Sequence, residues 1–363
     1  MKVTIIAGAR PNFMKIAPLM RAIQKAKSDG KNISARLVYT GSAQEKSIEP
    51  SLFHDLDMPE PEVYLNVNET DFFQRTAGII TAFSIELKTH PANVVVVVDD
   101  FTPTMACSIV AKKMGVKVAH LVAGTRSFDT DTKEINRVIT DGLSDIMFTA
   151  GMIANRNLSN TGTEQNHVYL VGNILIDTLR YNRPRMQRPV AFNILNIKEG
   201  NYVLLTINRH EIVNNEAKIK MVMDSIISNT TVPIVAPMHT YIKNRLEELT
   251  IETKRLHLLP PQPYLSFGYM ESHAKAIITD SGNIAEEATF LGIPCLTLNT
   301  YAEHPETITT GTNCLVGEDP QKIQDAILKI QRGDWKDAKL PERWDGHTAE
   351  RIVYSLLREF GNE

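Results

Sequence analysis

The chain has 363 residues, too many for one small domain, and at roughly 150 residues per domain the length favours two. Apolar residues make up 43% and charged residues 22%, the balance of a globular protein with a large core. The net charge of -3 argues against a nucleic-acid-binding protein that relies on positive charge. Three cysteines, Cys107, Cys295 and Cys314, are too few for a disulfide framework or a cysteine zinc site. The composition predicts a cytoplasmic α/β protein that binds no nucleic acid.

No segment has the pattern of a membrane span or a targeting signal. The apolar run at residues 3–7 is too short for the core of a signal peptide. The longest apolar run, at 94–98, has the length of a β-strand, whereas a bilayer requires about 20 apolar residues. We therefore expect no association with a membrane.

The first half of the chain alternates short β-branched runs with longer helical patterns. A helix is predicted at 11–27, because Phe13, Ile16, Met20 and Ile23 recur on one helical face. Apolar strands that alternate with amphipathic helices are typical of βαβ units, in which a parallel sheet is covered on both faces. The strands predicted in this half lie at 3–7, 36–39, 94–98, 117–121, 146–149 and 168–171.

A polar, proline-bearing stretch at 180–189 is the best candidate for a linker, and beyond it the alternation restarts. Strands are predicted at 202–206, 233–237, 256–259, 276–279 and 294–298, and helices at 215–227, 264–273, 283–291 and 320–331. The sequence thus predicts two doubly wound Rossmann-like domains, at 1–175 and 176–345, followed by a terminal helix at 346–363. Ligands of such sheets bind beyond the carboxyl ends of the strands, so we expect the site in a cleft between the domains.

The first predicted strand runs directly into a glycine turn that opens a helix. Gly8 makes the turn, and Arg10 and Lys15 lie close behind it. Free backbone N–H groups and the positive end of the helix dipole at such a turn favour a phosphate, to which both side chains would add charge. An ordinary βα turn with two surface cations fits the same residues.

Titratable residues end the next two central strands. Asp99 and Asp100 end the strand at 94–98, where Asp99 fits a helix cap and Asp100 an acid/base group. His120 ends the following strand, and a lone histidine there is more often structural than catalytic.

Three clusters in the second half point to a nucleotide. His239 ends one strand, and Ser281 and Gly282 begin a helix whose N–H groups suit a diphosphate. Glu287 lies about a turn and a half inside that helix, within reach of ribose hydroxyls. A capped helix with a solvated glutamate is the alternative. The segment 262–267 adds an amide and an aromatic ring near the place of a nucleobase, although such a cluster also fits a core.

Taken together, these motifs resemble the non-hydrolysing UDP-N-acetylglucosamine 2-epimerases. The resemblance implies the glycosyltransferase-B architecture, with two Rossmann-like domains, a UDP-sugar in the cleft and a C-terminal helix that packs back toward the first domain. It also implies a homodimer, and a reaction without a metal or nicotinamide cofactor. The matching segments, in order between residue 3 and about 357, are 8–11, Lys15, 98–102, 120–126, 134–137, 172–173, 237–239, 279–282 and 305–306.

The chemistry implied by this resemblance inverts C2 of the sugar. The C2 proton is removed while UDP leaves, which forms 2-acetamidoglucal, and UDP is then added back with the proton delivered to the other face. This requires acid/base groups beside C2 and a clamp on the diphosphate. Asp100 matches a catalytic aspartate of the family. The positions that match its UDP contacts are Arg10, Lys15, His239, Gln262, Phe267, Ser281, Gly282 and Glu287.

Several acid/base positions of the family are replaced in this chain. Val122 and Lys133 stand where the family has glutamates, Asn208 where it has a histidine, and His304 where it has an arginine. Removing one such group typically costs a factor of ~10² to 10⁴ in rate. We therefore expect ordinary epimerisation to be weak or lost unless the acid/base set is rearranged. The rearranged set comprises Asp100 as the chief base, with His120, Glu134 and His210 as substitutes.

The sequence leaves three interpretations open. The first is a 2-epimerase for UDP-N-acetylglucosamine or a related UDP-sugar. The second is a glycosyltransferase of the same fold that uses a UDP-sugar donor, since the diphosphate-binding helix start and the ribose-reaching glutamate are retained. The third is a non-catalytic relative that binds a UDP-sugar.

Overall fold

The computed structural model describes residues 1–48, 50–127, 132–251 and 254–361, the side chain of Thr132 excepted. The chain forms two compact units. Unit 1 comprises Met1–Arg180 and Glu342–Glu363, and unit 2 comprises Tyr181–Pro341. The boundaries predicted at 175 and 345 lie a few residues from these limits. No helix within the described ranges is long and apolar enough to cross a bilayer.

Thirteen strands alternate with helices along the described chain. The strands of unit 1 are β1 (Lys2–Ala7), β2 (Ser34–Tyr39), β3 (Val63–Tyr64), β4 (Val94–Val98), β5 (Lys117–Leu121), β6 (Ile146–Thr149) and β7 (Val168–Leu170). Those of unit 2 are β8 (Val203–Thr206), β9 (Ile234–Pro237), β10 (Leu256–Leu259), β11 (Ala276–Thr279), β12 (Cys295–Thr297) and β13 (Asn313–Leu315).

The helices follow the strands in the order expected of βαβ units. The first eight are α1 (Arg10–Ser28), α2 (Pro50–Leu56), α3 (Phe72–Thr89), α4 (Thr102–Lys113), α5 (Thr132–Leu143), α6 (Met152–Asn160), α7 (Ile174–Asn182) and α8 (Val190–Ile194). The others are α9 (His210–Val213), α10 (Glu216–Asn229), α11 (Thr240–Glu248), α12 (Tyr264–Ser272), α13 (Gly282–Leu291), α14 (Glu306–Thr309), α15 (Pro320–Arg332) and α16 (Thr348–Phe360).

The sheet of unit 1 is parallel, with the strand order β3-β2-β1-β4-β5-β6-β7. The five valines of β4 are all buried, because helices cover both faces of a central parallel strand. The strand order reverses direction between β1 and β4, and in open α/β sheets this switch point is where ligands bind. The doubly wound prediction for this half is confirmed, and β3, which has two residues, was not predicted.

The sheet of unit 2 is also parallel, in the order β10-β9-β8-β11-β12-β13. Alternate residues of each strand enter two separate apolar clusters, one on each face of the sheet. Leu205 and Ile278 belong to one cluster, and Leu204 and Ile277 to the other. Its switch point lies between β8 and β11, so the carboxyl ends of these strands are the expected binding position.

The C-terminal segment returns to unit 1 and is fixed there by three contacts. At Gly172, with φ +99°, a Cβ would lie 2.1 Å from the carbonyl oxygen of Arg343, so only glycine allows this approach. The buried Trp344 donates from Nε1 to the carbonyl oxygen of Ala150 at 3.0 Å. Asp177 accepts the first two backbone N–H groups of α16, at 3.1 and 2.8 Å, and so caps that helix. Helix α16 packs against α1.

Candidate functional site

The carboxyl ends of β4 and β5 each carry a residue in the left-handed region. Asp99 has φ +60° and Val122 has φ +69°. An aspartate tolerates this conformation, whereas a β-branched residue there is strained, at a cost of about 1–3 kcal/mol. Strain of this kind clusters at binding and catalytic sites, and here it lies beside the switch point of the unit 1 sheet.

Asp99 ties the end of β4 to the first turn of α1. Its Oδ1 accepts from Lys15 Nζ at 2.5 Å, and its Oδ2 accepts from Asn12 Nδ2 at 2.9 Å. Asn12 Oδ1 accepts the N–H groups of Gly8 and Ala9 at 2.9 and 3.1 Å. The prediction of free N–H groups is therefore wrong for Gly8 and Ala9, because the Asn12 amide occupies them. Asp99 is also not a helix cap, since its carboxylate binds side chains of α1.

The turn between β1 and α1 lies tightly against α4. A Cβ on Gly8 would stand 2.6 Å from Cβ and Cγ of Pro103, so the turn requires glycine for close packing. Arg10, partly buried, is the first residue of α1, and Lys15 is buried one turn later. The two predicted phosphate-side cations thus lie on the first two turns of one helix.

His120, at the end of β5, is enclosed by acceptors. Its Nδ1 lies 2.7 Å from Asp141 Oδ1, and its Nε2 lies 2.9 Å from the backbone oxygen of Asp99. Both ring nitrogens donate to these acceptors only when the ring carries two protons. The side chain is 1% exposed, so His120 is held within unit 1 by two hydrogen bonds.

Asp141, on α5, binds several groups of this site and was not predicted from the sequence. Besides His120, it accepts from Arg126 Nη1 at 2.7 Å and from the N–H of Gly124 at 3.3 Å. Burial alone would raise the pKa of Asp141, but the hydrogen bonds and charges of His120 and Arg126 together lower it below its ordinary value. Nothing local in the sequence distinguishes Asp141 from the other polar residues of α5, since its partners are distant along the chain.

Arg137 joins the predicted carboxylates Asp100 and Glu134. Its Nη2 lies 2.6 Å from Asp100 Oδ2, and its Nη1 lies 3.3 Å from Glu134 Oε2. Arg126 Nε lies 3.5 Å from Glu134 Oε1, which connects this pair to Asp141. The structure thus brings Asp100, His120 and Glu134 into one set of contacts. We call it the strand-end network, formed by Lys15, Asp99, Asp100, His120, Arg126, Glu134, Arg137 and Asp141.

Two of the replaced positions supply no acid/base group to this network. Val122 has no titratable atom, and Lys133 is exposed on α5. In unit 2, the replaced Asn208 is exposed, whereas His304 is buried with Nε2 3.6 Å from Glu286 Oε1.

In unit 2, the ends of β8 and β11 are fastened together by side chains. The hydroxyls of Thr206 and Thr279 lie 2.7 Å apart. Asp280 Oδ2 accepts the N–H groups of Asn208 and Arg209 at 2.6 and 2.7 Å. Burial raises the pKa of Asp280 and outweighs these hydrogen bonds, which act in the opposite direction. This bonding fixes the loop that carries His210 after β8.

His210 and His239 both stack with the ring of Tyr241. The ring centroids of His210 and Tyr241 are 5.8 Å apart, and those of His239 and Tyr241 are 6.2 Å apart. The Tyr241 hydroxyl donates to the backbone oxygen of Asn208 at 3.3 Å. Sequence reasoning missed Tyr241, although an aromatic residue two positions after a strand-ending histidine was the available signal.

Helix α13 presents the predicted diphosphate-binding residues. Ser281 is its N-cap residue, makes no side-chain capping hydrogen bond, and donates its N–H to Thr279 Oγ1 at 3.0 Å. A Cβ on Gly282 would lie 3.2 Å from Glu303 Oε2, closer than side chains usually pack. Glu287 is buried in the second turn. The alternative of a capped helix with a solvated glutamate is therefore wrong.

The two residues expected near a nucleobase differ in their surroundings. Gln262 precedes α12 and donates from Nε2 to the backbone oxygen of Pro260 at 2.7 Å. Phe267, on α12, is partly buried and packs against the core of unit 2. The described contacts of Phe267 are those of a core residue.

Comparisons with known proteins agree on one family. The model of the UDP-N-acetylglucosamine 2-epimerase family matches residues 25–357. A Methanocaldococcus jannaschii protein named UDP-N-acetylglucosamine 2-epimerase is 32% identical over 370 residues, covering 98% of this chain and 99% of that protein. A Pseudomonas aeruginosa protein named UDP-2,3-diacetamido-2,3-dideoxy-D-glucuronate 2-epimerase is 28% identical over 322 residues, covering 87% and 88% of the two chains.

A solved structure matches the fold over the same length. The M. jannaschii UDP-GlcNAc 2-epimerase in complex with UDP-GlcNAc and UDP superposes with a TM-score of 0.87 at 32% identity, covering 99% of this chain and 100% of that one. The chain belongs to the UDP-N-acetylglucosamine 2-epimerase family, and the resemblance inferred from its motifs is confirmed.

Proposed function

We propose that this family member interconverts the C2 epimers of a UDP-2-acetamido sugar by eliminating UDP and adding it back. The observation that carries the proposal is the strand-end network, which holds Asp100 and Glu134 at the carboxyl edge of a parallel sheet in a chain of this family. A base there takes the C2 proton, the C–H electron pair forms the C1–C2 double bond, and the anomeric C–O bond breaks to release UDP. UDP then adds back to C1 as the double bond closes, and a proton is delivered to C2 from the opposite face.

Within unit 1 we assign the role of base to Asp100. Its carboxylate is held by Arg137 at 2.6 Å, which orients it. Glu134 shares Arg137 and supplies a second carboxylate. His120 has both nitrogens bonded within the protein, so we assign it to orienting the end of β4 through the Asp99 carbonyl. Arg10 and Lys15 supply positive charge for the diphosphate.

Within unit 2 we assign UDP binding to the edge formed by β8, β9 and β11. Backbone N–H groups at the start of α13, after Ser281, suit the diphosphate. Glu287, His239 and Gln262 contact the nucleoside in this proposal, with Phe267 beside them. His210, exposed and stacked on Tyr241, is the proton donor or acceptor that replaces the family histidine at Asn208.

One observation favours a second candidate, binding of a UDP-sugar without turnover. The replaced positions contribute an apolar Val122 and an exposed Lys133, while His120 is enclosed. A site that keeps its nucleotide half but lacks proton-transfer groups binds its ligand and releases it unchanged.

The test is incubation with UDP-N-acetylglucosamine in D₂O, with the C2 position and free UDP followed by NMR. Deuterium at C2 supports epimerisation, and Asp100→Asn is expected to lower its rate by about 10² to 10⁴. Asp145→Asn, a carboxylate of the same unit paired with Lys112 on the surface, is the matched control. Saturable UDP binding without exchange supports the second candidate, and UDP release only with an added acceptor supports glycosyl transfer. Absence of UDP binding would overturn the proposal.

We also propose a homodimer in a reducing compartment such as the cytoplasm. Phe73 and Ile85 on α3, and Ile135 and Val138 on α5, are large apolar side chains at least half exposed, which contact between two copies would cover. The free thiols in the described chain fit a reducing compartment. Light scattering of the wild type and of Phe73→Glu tests the dimer, which the charge is expected to dissociate.

A further inference from the structure

Helix α12 carries a buried carboxyl group that has no role in the proposed function. Glu271 is 1% exposed, and its carboxyl group is hydrogen-bonded to that of Glu287 on α13, against which α12 packs. Its Oε1 has no hydrogen-bond partner within the described ranges. Two carboxylates in direct contact inside a protein cannot both stay ionised, so such a pair holds a proton between them.

The positions of the two residues on their helices decide which one holds the proton. Glu271 lies in the last turn of α12, where the negative end of the helix dipole disfavours a carboxylate. Glu287 lies nearer the positive end of α13, which favours one. Burial, followed by the charge of Glu287 and the hydrogen bond to it, raises the pKa of Glu271 well above its ordinary value. Glu271 is therefore the neutral donor and Glu287 the charged acceptor.

Among the described residues, no cation is found to act on Glu271. Tyr202, the residue before β8, and Cys295 on β12 interact with it, and both are neutral at physiological pH because burial raises the pKa of each. Lys336 acts on Cys295, and its pKa is lowered by burial. The 3-10 turn Arg183–Arg185 also packs against α12, and there Arg185 donates to Asn182 at 2.6 Å.

We propose that Glu271 is a positioning residue for nucleotide recognition, whose carboxyl O–H donates to Glu287 and orients that carboxylate toward the ribose hydroxyls of a nucleoside diphosphate. The inference rests on the proposed function, because it takes Glu287 as the ribose contact. With the proton on Glu271, the pair carries one negative charge, and Glu287 keeps lone pairs for the ligand. When Glu271 loses its proton, the donor disappears and the two charges repel.

Two substitutions separate positioning from a structural role. Glu271→Gln keeps an N–H donor but cannot ionise, whereas Glu271→Leu removes the donor and fills the site with an apolar side chain. Glu271→Leu leaves one acceptor of Glu287 without its donor, a loss smaller than the stability of a typical domain, so the variant is expected to remain folded. Its affinity for UDP should nevertheless fall about tenfold, since a hydrogen bond to a charged group contributes about 1.5–3 kcal/mol. Glu271→Gln restores the affinity.

The experiment is calorimetric titration of UDP into the wild type and both variants at pH 7. We expect the dissociation constant of Glu271→Leu to be about tenfold above that of the wild type and that of Glu271→Gln to match the wild type. Glu248→Gln, an exposed glutamate in the last turn of α11, is the matched control and should follow the wild type. Equal affinity of Glu271→Leu and wild type, or a Glu271→Gln variant that binds UDP as weakly as Glu271→Leu, would overturn the assignment.

A ligand-free measurement keeps this inference separate from the proposed function. If no variant binds UDP, the nucleotide assignment fails, and the proton on Glu271 is then judged by urea unfolding of unit 2. The chain has two tryptophans, and Trp335 reports on unit 2 in a Trp344→Phe background. Because the folded-state pKa of Glu271 is raised, the unfolding midpoint should fall as pH rises above the ordinary pKa of glutamate, and it should fall less when residue 271 is glutamine. Identical midpoints would show that Glu271 holds no proton.

Discussion

Substitution of Asp141 by asparagine tests whether the strand-end network is held by charge. The side chain is 4% exposed and accepts from His120 at 2.7 Å and from Arg126 at 2.7 Å. Asparagine has nearly the same shape but leaves Arg126 without its buried counter-charge, and breaking one partner of a buried pair costs about 3–5 kcal/mol. For a unit of this size each kcal/mol corresponds to about 2–4 °C, so the lower figure predicts a fall of about 6–12 °C in Tm.

The assay is thermal unfolding of unit 1, followed by the fluorescence of Trp344 in a Trp335→Phe background. Asp145→Asn is the matched control: Asp145 binds Lys112 at 2.9 Å and is 20% exposed, so its ion pair contributes only about 0.2–1 kcal/mol. The folded-state pKa of Asp141 is lowered, so its contribution is present above the ordinary pKa of aspartate and is lost as pH falls through the folded value. Equal losses of stability in Asp141→Asn and Asp145→Asn would refute the reasoning. So would a difference in stability between wild type and Asp141→Asn that does not shrink below about pH 4.

Two further predictions concern the backbone and the C-terminal segment of unit 1. Val122→Asn should raise the free energy of unfolding by about 1 kcal/mol, because asparagine tolerates the positive φ that strains valine, and Val122→Ile should give no gain. Urea titration measures both, and a gain with isoleucine would contradict the assignment of strain. Trp344→Phe should cost about 2 kcal/mol, because the buried carbonyl of Ala150 loses its donor. A loss under about 0.5 kcal/mol by circular dichroism would mean that this hydrogen bond does not hold the segment.

The fold was predictable from sequence because its signals are local. The β-branched run of β4 and the apolar face of α1 are visible within single windows of the chain. The short strands β3 and β13 were missed because two or three residues leave no periodicity to detect. They lie at the outer edges of their sheets, where neighbouring strands supply the register.

The site was predictable only in part, because its contacts join distant positions. Strand ends identified Asp100 and His120, yet the carboxylate that binds His120 lies 21 residues further along. The Gly8 turn shows the same limit, since its N–H groups are occupied by the Asn12 side chain. The burial of Glu271 could have been predicted from the sequence. This glutamate lies beside Met270 and close to Gly268 and Leu265, and all of them are buried residues of α12.

The strand-end network raises the question of why so many charged residues lie at the carboxyl edge of the unit 1 sheet. It gathers four carboxylates with Lys15, Arg126, Arg137 and His120 in a largely buried position. Removing such charges from water costs several kcal/mol for each ion, and well-packed apolar residues of similar volume often stabilise a fold equally well or better. Stability therefore gives no sufficient reason for the network. The proposed reaction, which develops charge beside a departing diphosphate, does give one, because prearranged ion pairs stabilise that charge without reorganising.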